Sequence, residues 1–342
     1  MKVSHLVTAA AVTSLALSGQ ALAQSSTLQQ VMDRGTLNCG TNTGLAGFSF
    51  TDAQGQYQGF DIAICRAIAA AIFDDPSKVE FTPLTGKTRF TALASGEVDV
   101  LARNTTWTLS RDADLKFTFA PVNYYDGQGF MVPKDIGVSS ALDLDGATIC
   151  IQTGTTTELN LADYFRANDM DYEPVPIETD NEAQQKYLAD ACDAYTTDAS
   201  GLASVRASFE NPDEHVILPE IISKEPLAPL VRHGDDEWSD IVSWVVRALI
   251  LAEEKDVTQA NVEEMAQQTD LNPDVARLLG VEGEYGAMLG LDNDWAVRAI
   301  AAVGNYGEIF DRYLGPDTQI GLERGLNALY TEGGILYAPP IR

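Results

Sequence analysis

Short apolar runs alternate with longer amphipathic runs along most of the chain, a pattern typical of strands followed by helices. The first cycle predicts strands at 37–40, 79–82 and 98–102, with helices at 61–73 and 89–95. A second cycle predicts strands at 147–152, 193–197 and 216–218, with helices at 158–167, 182–189 and 200–208. After Pro226 the pattern becomes almost wholly helical. Such alternation predicts an α/β fold with parallel-rich sheets.

Two short apolar runs, Gly129–Pro133 and Leu227–Arg232, separate the cycles and are flanked by Gly or Pro. Because the chain crosses twice, we expect a second lobe that is inserted into the first, with both runs forming a two-strand hinge. The expected limits are 24–131 and 228–342 for the first lobe, which includes a helical C-terminal extension, and 132–227 for the second. A chain of 342 residues is too long for one small core, in agreement with two lobes.

The first residues have the composition of a secretory signal. A basic start at Lys2 precedes an apolar run from Leu6 to Leu17, and Ala21-Leu22-Ala23 fits the small-x-small pattern of a cleavage site. A membrane anchor is the alternative, but the run is shorter than the roughly 20 residues that span a bilayer. We therefore expect residues 1–23 to be a signal peptide and the mature protein to be periplasmic.

The formal net charge of −28 argues against nucleic acid as a partner, because phosphates are repelled before contact. It does not argue against a small acidic ligand, since a few convergent arginines dominate the field inside a low-dielectric cleft. The charge therefore indicates solubility and excludes one class of partner.

The cysteine content agrees with export. Cys39, Cys65, Cys150 and Cys192 are even in number and allow three pairings in an oxidising compartment. The spacing favours Cys39 with Cys65 and Cys150 with Cys192, because each pair then lies within one half of the chain. A metal site is disfavoured, since the chain has no CxxC and the mature part keeps only two histidines. We expect neither a metal nor a cofactor.

Candidate binding chemistry lies in two segments, 104–111 and 154–158. The planar guanidinium of Arg111 suits a carboxylate, although a surface arginine is the alternative. Thr155 and Thr156 follow Gly154 at a predicted strand-to-helix turn, where free backbone N–H groups favour an anion. An ordinary helix cap, with Glu158 completing a capping box, is the other interpretation, and both can hold at once.

Asp198 follows the third predicted strand of the second cycle. An aspartate there lies at the carboxyl end of the strand, where open α/β sheets place their ligand sites. A helix N-cap for the run from Ser200 onward is the alternative. Its charge would suit a ligand ammonium group.

Several segments carry a family resemblance, among them RFTALASGEVDVLARNTTWTLSRD, PVNYYDGQGFMVPK, GTTTELNLADYF, CDAYTTDASGL and NYGEIFDRYLG. They closely resemble the periplasmic amino-acid-binding proteins of ABC importers, in particular the general L-amino-acid-binding and glutamate/glutamine/aspartate/asparagine-binding subgroup. The resemblance covers essentially the whole mature chain. It implies a type II periplasmic-binding-protein-like fold, a polar or acidic L-amino acid as ligand, a membrane permease as partner, and a monomer that is not an enzyme.

The resemblance also implies roles for individual residues. Arg111 aligns with the arginine that grips the ligand α-carboxylate, helped by the hydroxyl or backbone groups of Thr106 and Thr156. Asp198 matches the carboxylate that binds the ligand ammonium group. Asn104 occupies a position that contacts the same ammonium and carboxylate groups.

Side-chain selection is expected at Arg89, which aligns with an arginine that reaches the distal carboxylate in glutamate/aspartate-binding relatives; a solvated helix arginine is the alternative. Lys87 and Arg103 are nearby cations. A histidine of those relatives is replaced here near Asp180, which argues against strict dicarboxylate selectivity. Two aromatic residues fit walls of the ligand site, namely Phe48 and, with a core role as an equal alternative, Trp107.

Two competing functions share this fold. One is an enzyme of the dehydratase or lyase type, and the other is a binding protein that feeds a sensor. The mature histidines, His215 and His233, lie outside the site motifs, and no Ser-His-Asp or metal-ligand cluster is visible in the sequence. We therefore expect binding and delivery of an amino acid without chemistry.

Overall fold

A computed structural model describes residues 26–342, so the predicted signal peptide and its cleavage after Ala23 lie outside the described part. Its strands are β1 (Leu37–Asn42), β2 (Phe50–Thr51), β3 (Tyr57–Gln58), β4 (Val79–Leu84), β5 (Val100–Leu101), β6 (Phe117–Phe119), β7 (Tyr124–Asp126), β8 (Gln128–Pro133), β9 (Ala147–Gln152), β10 (Tyr172–Ile177), β11 (Ala194–Asp198), β12 (His215–Ile217), β13 (Glu225–Leu227) and β14 (Leu230–Arg232). Its α-helices are α1 (Thr27–Arg34), α2 (Phe60–Phe73), α3 (Arg89–Ser95), α4 (Thr156–Ala167), α5 (Asp180–Leu188), α6 (Ala199–Ala207), α7 (Asp236–Glu254), α8 (Val262–Met265), α9 (Pro273–Leu278), α10 (Tyr285–Met288), α11 (Trp295–Val303) and α12 (Tyr306–Tyr313).

Two five-stranded sheets form the centres of two lobes. The first has the order β4-β1-β5-β14-β6, in which β1 pairs in parallel with β4 and β5 while β14 is antiparallel to both of its neighbours. The second has the order β10-β9-β11-β8-β12, with β9 parallel to β10 and β11 and with β8 antiparallel. The predicted α/β fold with parallel-rich sheets and two lobes is confirmed.

The link between the sheets differs in position from the prediction. The strands that cross between the lobes are β7 and β13, which pair as a separate two-stranded antiparallel sheet. The runs expected at the hinge lie mainly in β8 of the second sheet and β14 of the first, so the expected lobe boundary at 131 falls inside a strand. Both runs are apolar because they are buried between neighbours in a sheet, whereas β7 and β13 carry acidic residues at Asp126 and Glu225.

Helix α2 forms the centre of the first lobe's core. Gly59 precedes it with φ of 130°, and a Cβ atom there would lie 2.2 Å from the backbone oxygen of Phe48, so only glycine fits. The alanines of α2 let α11 approach closely, and α7 packs against the same helix. Trp238 of α7 donates from Nε1 to the backbone oxygen of Asp99 at 3.0 Å, which ties this helical layer to the first sheet.

Both expected disulfides are confirmed. Cys39 of β1 is bonded to Cys65 of α2, and Cys150 of β9 is bonded to Cys192, just before β11. Each therefore ties a strand to a neighbouring element within one lobe. In the chain-entropy picture, loops of 26 and 42 residues contribute about 3 to 4 kcal/mol each to the free energy of unfolding.

Within residues 26–342, none of the helices combines the length and apolar character needed to cross a membrane.

Candidate functional site

The loop that follows β5 carries the first group of site residues. Asn104 adopts φ of 33°, its backbone N–H donates to Oδ2 of Asp61 at 3.0 Å, and its side-chain oxygen accepts from Asn42 at 3.1 Å. Thr105 is fully buried, and its hydroxyl donates to the backbone oxygen of Arg103 at 2.9 Å. The loop is thus held by Asp61, Asn42 and its own Thr105 at the carboxyl end of β1 and β5, where ligand sites of such sheets lie.

Arg111 lies within a single wide helical turn, Ser110–Asp114, and is 6% exposed. Its Nη1 donates to the backbone oxygen of Thr106 at 2.8 Å, and its guanidinium carbon lies 5.0 Å from the centre of the Phe90 ring. Burial lowers the pKa of Arg111 to about 10, against the opposing effect of Glu225 and Asp198. The guanidinium is therefore charged at neutral pH and is oriented by one bond, which leaves other donors for a carboxylate.

Arg89 begins helix α3 and is 2% exposed. Its Nη1 donates to the hydroxyl of Thr105 at 3.2 Å, and its guanidinium carbon lies 4.8 Å from the Phe90 ring centre. Burial, and then the like charges of Arg103 and Arg111, lower the pKa of Arg89 well below its ordinary value. Arg89, Arg103 and Arg111 are buried and repel one another, so nearby negative charges stabilise them. Asp198 and Glu225 supply part of that negative charge.

The turn from β9 into α4 carries the second group. The hydroxyl of Thr155 accepts from the N–H of Glu158 at 3.3 Å, and Oε2 of Glu158 accepts from the N–H of Gly154 at 2.9 Å. This is a reciprocal cap displaced by one residue from a capping box, since the partner of Glu158 is Gly154 and not Thr155. The hydroxyl of Thr156 points instead toward the first lobe, 3.2 Å from the hydroxyl of Thr106.

Asp198 ends β11 and stands at the N-cap position of α6, yet among residues 26–342 its side chain makes no capping hydrogen bond. It is 7% exposed, and burial followed by the charges of Asp126 and Glu225 raises its pKa well above the ordinary value. Arg89 and Arg111 act in the opposite direction. The carboxylate therefore lies in the field of arginines from the first lobe, a position that a helix cap does not require.

Glu225 on β13 is a site residue that the sequence interpretation missed. It is 1% exposed, and its carboxylate accepts four hydrogen bonds. The donors to Oε2 are the hydroxyls of Thr106 at 2.6 Å and Thr156 at 2.8 Å, and the donors to Oε1 are the amide of Asn160 and the hydroxyl of Ser223, both at 2.6 Å. One buried carboxylate on the linking strand therefore joins the two lobes.

Asp126, on the other linking strand, was also missed. It accepts hydrogen bonds from the hydroxyl of Ser200 and from the N–H of Gly127, the latter at 2.8 Å. Burial of the carboxylate raises its pKa to about 6, with a further contribution from the charge of Glu225. A Tyr-Tyr-Asp run gives no sign of this role, because Ser200 and Glu225 lie on other elements.

The structure does not bring every expected residue to this cluster. Phe48 is 1% exposed and packs edge-to-face on Phe60 and Tyr124, at 6.1 and 5.5 Å between ring centres, so it is part of the first lobe's core. Trp107 is 41% exposed and stacks on Phe119 at 5.6 Å between ring centres, so it does not have a core position.

The other expected cation, Lys87, forms an exposed ion pair with Glu178 of the second lobe at 2.8 Å. Among the described residues, no group of His, Cys, Asp and Glu side chains has an arrangement that could hold a metal ion. The site thus consists of three buried arginines, three neighbouring carboxylates and hydroxyl groups from both lobes. Such a set can hold a small zwitterion, since it offers donors to an anion and acceptors to a cation at one place.

Two α/β lobes, linked by two strands and with a buried charged cluster between them, define a bilobed binding protein. The profile of bacterial extracellular solute-binding proteins, family 3, matches residues 37–260, and the chain belongs to this family. The chain is 64% identical over 320 residues to the glutamate/glutamine/aspartate/asparagine-binding protein BztA of Rhodobacter capsulatus, with 94% of each chain covered. It is 58% identical to the general L-amino acid-binding periplasmic protein AapJ of Rhizobium johnstonii, with 95% of each covered.

A solved structure also resembles it closely. An ABC transporter periplasmic binding protein from Brucella ovis with glutathione bound is 57% identical and superposes with a TM-score of 0.90. The match covers 93% of this chain and all of that one. The helical extension that follows residue 260 is therefore part of the shared architecture.

Proposed function

We propose that this protein captures polar or acidic L-amino acids in the periplasm and delivers them to the membrane permease of an ABC importer. The single observation that carries the proposal is the position of Asp198. Its buried carboxylate on the second lobe makes no helix-capping hydrogen bond and lies in the electrostatic field of Arg111 and Arg89 of the first lobe. An α-amino acid carries both a carboxylate and an ammonium group. Its binding site therefore needs a positive charge on one side of the ligand and a negative charge on the other. Relatives named for amino-acid binding support the same ligand class.

Binding proceeds from the first lobe to the second in this proposal. Arg111 receives the α-carboxylate because its guanidinium is charged and already oriented by the backbone of Thr106. Closure then adds Asp198 to the ammonium group, and the N-terminal N–H groups of α4 beyond Thr155 add to the carboxylate. Water is excluded as the lobes meet, which strengthens each ionic contact.

Arg89 is proposed to receive a distal carboxylate or amide. It is buried beside the α-carboxylate arginine, and its orientation is set by the buried hydroxyl of Thr105. Asn104 and Thr106 are proposed to add contacts to the ammonium and α-carboxylate groups of the ligand. Phe48 is left out of the ligand contacts because it packs on core aromatic rings.

Glutathione is a second candidate ligand, favoured by the ligand of the Brucella ovis structure. Its γ-glutamyl end carries a free α-carboxylate and a free α-amino group, so it presents the same head group as glutamate. It differs in the bulk attached to the distal carbon, which would have to pass between the lobes.

The enzyme alternative finds little support in the placement of the histidines. Nδ1 of His215 lies 3.0 Å from the hydroxyl of Tyr187 in the second lobe, and His233 lies 3.6 Å from Asp112. Neither contacts the charged cluster. A binding protein that feeds a sensor would share the same pocket, and only its partner would differ.

Further parts of the proposal are a monomeric state, removal of residues 1–23, and lobes divided at β7 and β13.

The deciding experiment is a calorimetric titration of the mature protein with each of the twenty L-amino acids and with glutathione, after unfolding and refolding to remove bound ligand. We expect saturable binding by glutamate, glutamine, aspartate and asparagine without consumption of the ligand. Binding of glutathione alone would replace the amino-acid proposal. Turnover of a bound amino acid, detected by chromatography, would favour the enzyme, and an absence of any binding would reject the proposal.

A further inference from the structure

Three buried polar atoms near the meeting of the lobes are unsatisfied. Nε of Arg89, Nη2 of Arg103 and Oδ2 of Asp180 have no hydrogen-bond partner within residues 26–342. Unsatisfied buried groups are rare in folded proteins and are expensive, so each one calls for an explanation. The first two atoms are donors on the first lobe, and the third is a carboxylate oxygen on the second.

Arg103 connects the other two residues electrostatically. It is 2% exposed, and its Nε donates to the backbone oxygen of Leu84 at 3.1 Å, which orients the guanidinium. Asp180 is the foremost among the charges that favour its ionised form, ahead of Asp61 and Asp198. Arg89 is its like-charged neighbour. Donors and acceptor therefore belong to one cluster that spans the two lobes.

Asp180 is the first residue of α5 and is 5% exposed. Its Oδ1 accepts a long hydrogen bond from the hydroxyl of Tyr195 at 3.4 Å. Burial raises the pKa of Asp180, and Arg103, Asn42 and Tyr195 partly offset that effect. The carboxyl group of Asp180 therefore keeps its proton to a higher pH than an exposed aspartate does.

These atoms complement two different side chains. A carboxamide has one acceptor oxygen, which suits the arginine donors, and one NH2 group, which suits an ionised Asp180. A carboxylate has two acceptor oxygens, and the second one requires a protonated Asp180 as donor. We propose, on the basis of the proposed function, that Asp180 is a specificity-determining residue that lets one pocket bind the acid and the amide of the same amino acid.

Other titrating groups face this cluster and must be separated from Asp180. They are Asp61 on α2, Tyr195 and Asp198 on β11, and the arginines Arg89 and Arg103 on the first lobe. Burial raises the pKa of Asp61 to about 7 and that of Tyr195 well above its ordinary value, so the tyrosine stays neutral. The negative side chain of glutamate also acts on Asp61 and Asp198, so the contribution of Asp180 is separated from theirs by the Asp180→Asn variant.

The test is calorimetric titration of the mature protein with L-glutamate and L-glutamine between about pH 5.5 and 8.5, where the glutamate side chain is ionised. The glutamine-to-glutamate affinity ratio is expected to rise with pH, by up to about tenfold per unit once Asp180 is ionised in the free protein. Repeating the titrations in buffers of different ionisation enthalpy should show that glutamate takes up one proton more than glutamine.

Asp180→Asn is expected to remove both the pH slope of the ratio and the extra proton, while the exposed control Asp163→Asn leaves them unchanged. Parallel pH profiles for the two ligands in the unaltered protein would overturn the inference, whether or not the variant folds. A slope that persists in folded Asp180→Asn would also overturn it. Failure of both ligands to bind would reject the proposed function itself, and that result is distinct from binding without a difference in proton uptake.

Discussion

The hydroxyl oxygens of Thr106 and Thr156, which belong to opposite lobes, lie 3.2 Å apart and both donate to the same oxygen of Glu225. The two lobes are therefore connected through the side chain of Glu225, which lies on a linking strand. Asn160, one turn further along α4 from Thr156, donates to the other oxygen of the same carboxylate. Separation of the second lobe from β13 breaks two of these bonds.

Glu225→Ala should destabilise the closed arrangement. Its donors lose their common acceptor, and each hydroxyl or amide that stays buried costs about 1 to 3 kcal/mol. We expect a lower melting temperature and weaker binding of every ligand by a similar factor, measured by calorimetry. Small-angle scattering of the ligand-free variant should show a larger radius of gyration.

Glu178→Ala is the matched control, because Glu178 is also a carboxylate that joins the lobes, through Lys87, but the pair is more than half exposed. Solvent screens such a pair, so little change is expected. Equal effects of the two substitutions would contradict a special role for the buried carboxylate.

Arg111→Ala should abolish or severely weaken binding of all amino acids. A ligand carboxylate in a closed cleft without its charged partner costs about 2 to 5 kcal/mol in binding free energy. Isothermal titration with glutamate, glutamine and alanine measures the loss. Arg166→Ala removes an exposed arginine of α4 and should leave all three affinities unchanged. Retained binding of alanine by Arg111→Ala would show that the α-carboxylate is held elsewhere.

Arg89→Ala should change selectivity and not only affinity. The buried guanidinium is proposed to meet the distal group of the ligand, so glutamate and aspartate should lose more affinity than alanine or serine. Competition titration of the four amino acids against one reporter ligand gives the ratios directly. Equal losses for all four would assign Arg89 to the structure of the site and remove its role as a selector.

Asp61→Asn should alter the pH dependence of stability. Burial raises the pKa of Asp61 to about 7, from 3.8 in the unfolded chain, while the N–H of Asn104 and the charge of Arg103 act against that shift. The folded state therefore holds the proton more tightly, and the favourable contribution present at low pH is lost as pH rises from about 4 to about 7. An asparagine keeps an acceptor for Asn104 without this dependence.

Urea unfolding of the ligand-free protein and of Asp61→Asn at several pH values checks this point. The free energy of unfolding of the variant should improve relative to the unaltered protein as pH rises through that range. A difference that is independent of pH would show that the group does not titrate there.

Much of the fold could be predicted from local pattern. Helix α3 begins and ends at the predicted residues, Arg89 and Ser95, and β9 spans 147–152 as expected, because apolar spacing and bounding Gly residues define both. The cysteine pairs were also predicted correctly from their spacing. The short strands β2, β3, β6 and β7 were missed, since they are too short to show an alternating pattern, whereas β5 and β12 lie close to the predicted strands at 98–102 and 216–218. Strand β10, with six residues, was also missed.

The site was harder to predict where burial depends on distant partners. Glu225 lies in the run SKEPL, which has the appearance of an exposed charged loop, and its donor Thr106 is 119 residues away in sequence. Phe48 shows the same dependence, because an aromatic residue in a glycine-containing loop suits a ligand wall, whereas its contacts with Phe60 and Tyr124 also make it part of the core. Local residue type gives the chemistry of a side chain, whereas its neighbours decide whether that chemistry faces a ligand.

The strand order of the first sheet has a consequence for the sequence of assembly. Strand β14 lies between β5 and β6, so this sheet is incomplete until residue 232 has joined it, whereas the second sheet is complete with β12 at residue 217. A chain that emerges from its N-terminus therefore finishes the inserted lobe first. The first sheet is completed only when β14 pairs between β5 and β6, which the inserted lobe separates from β14 in sequence.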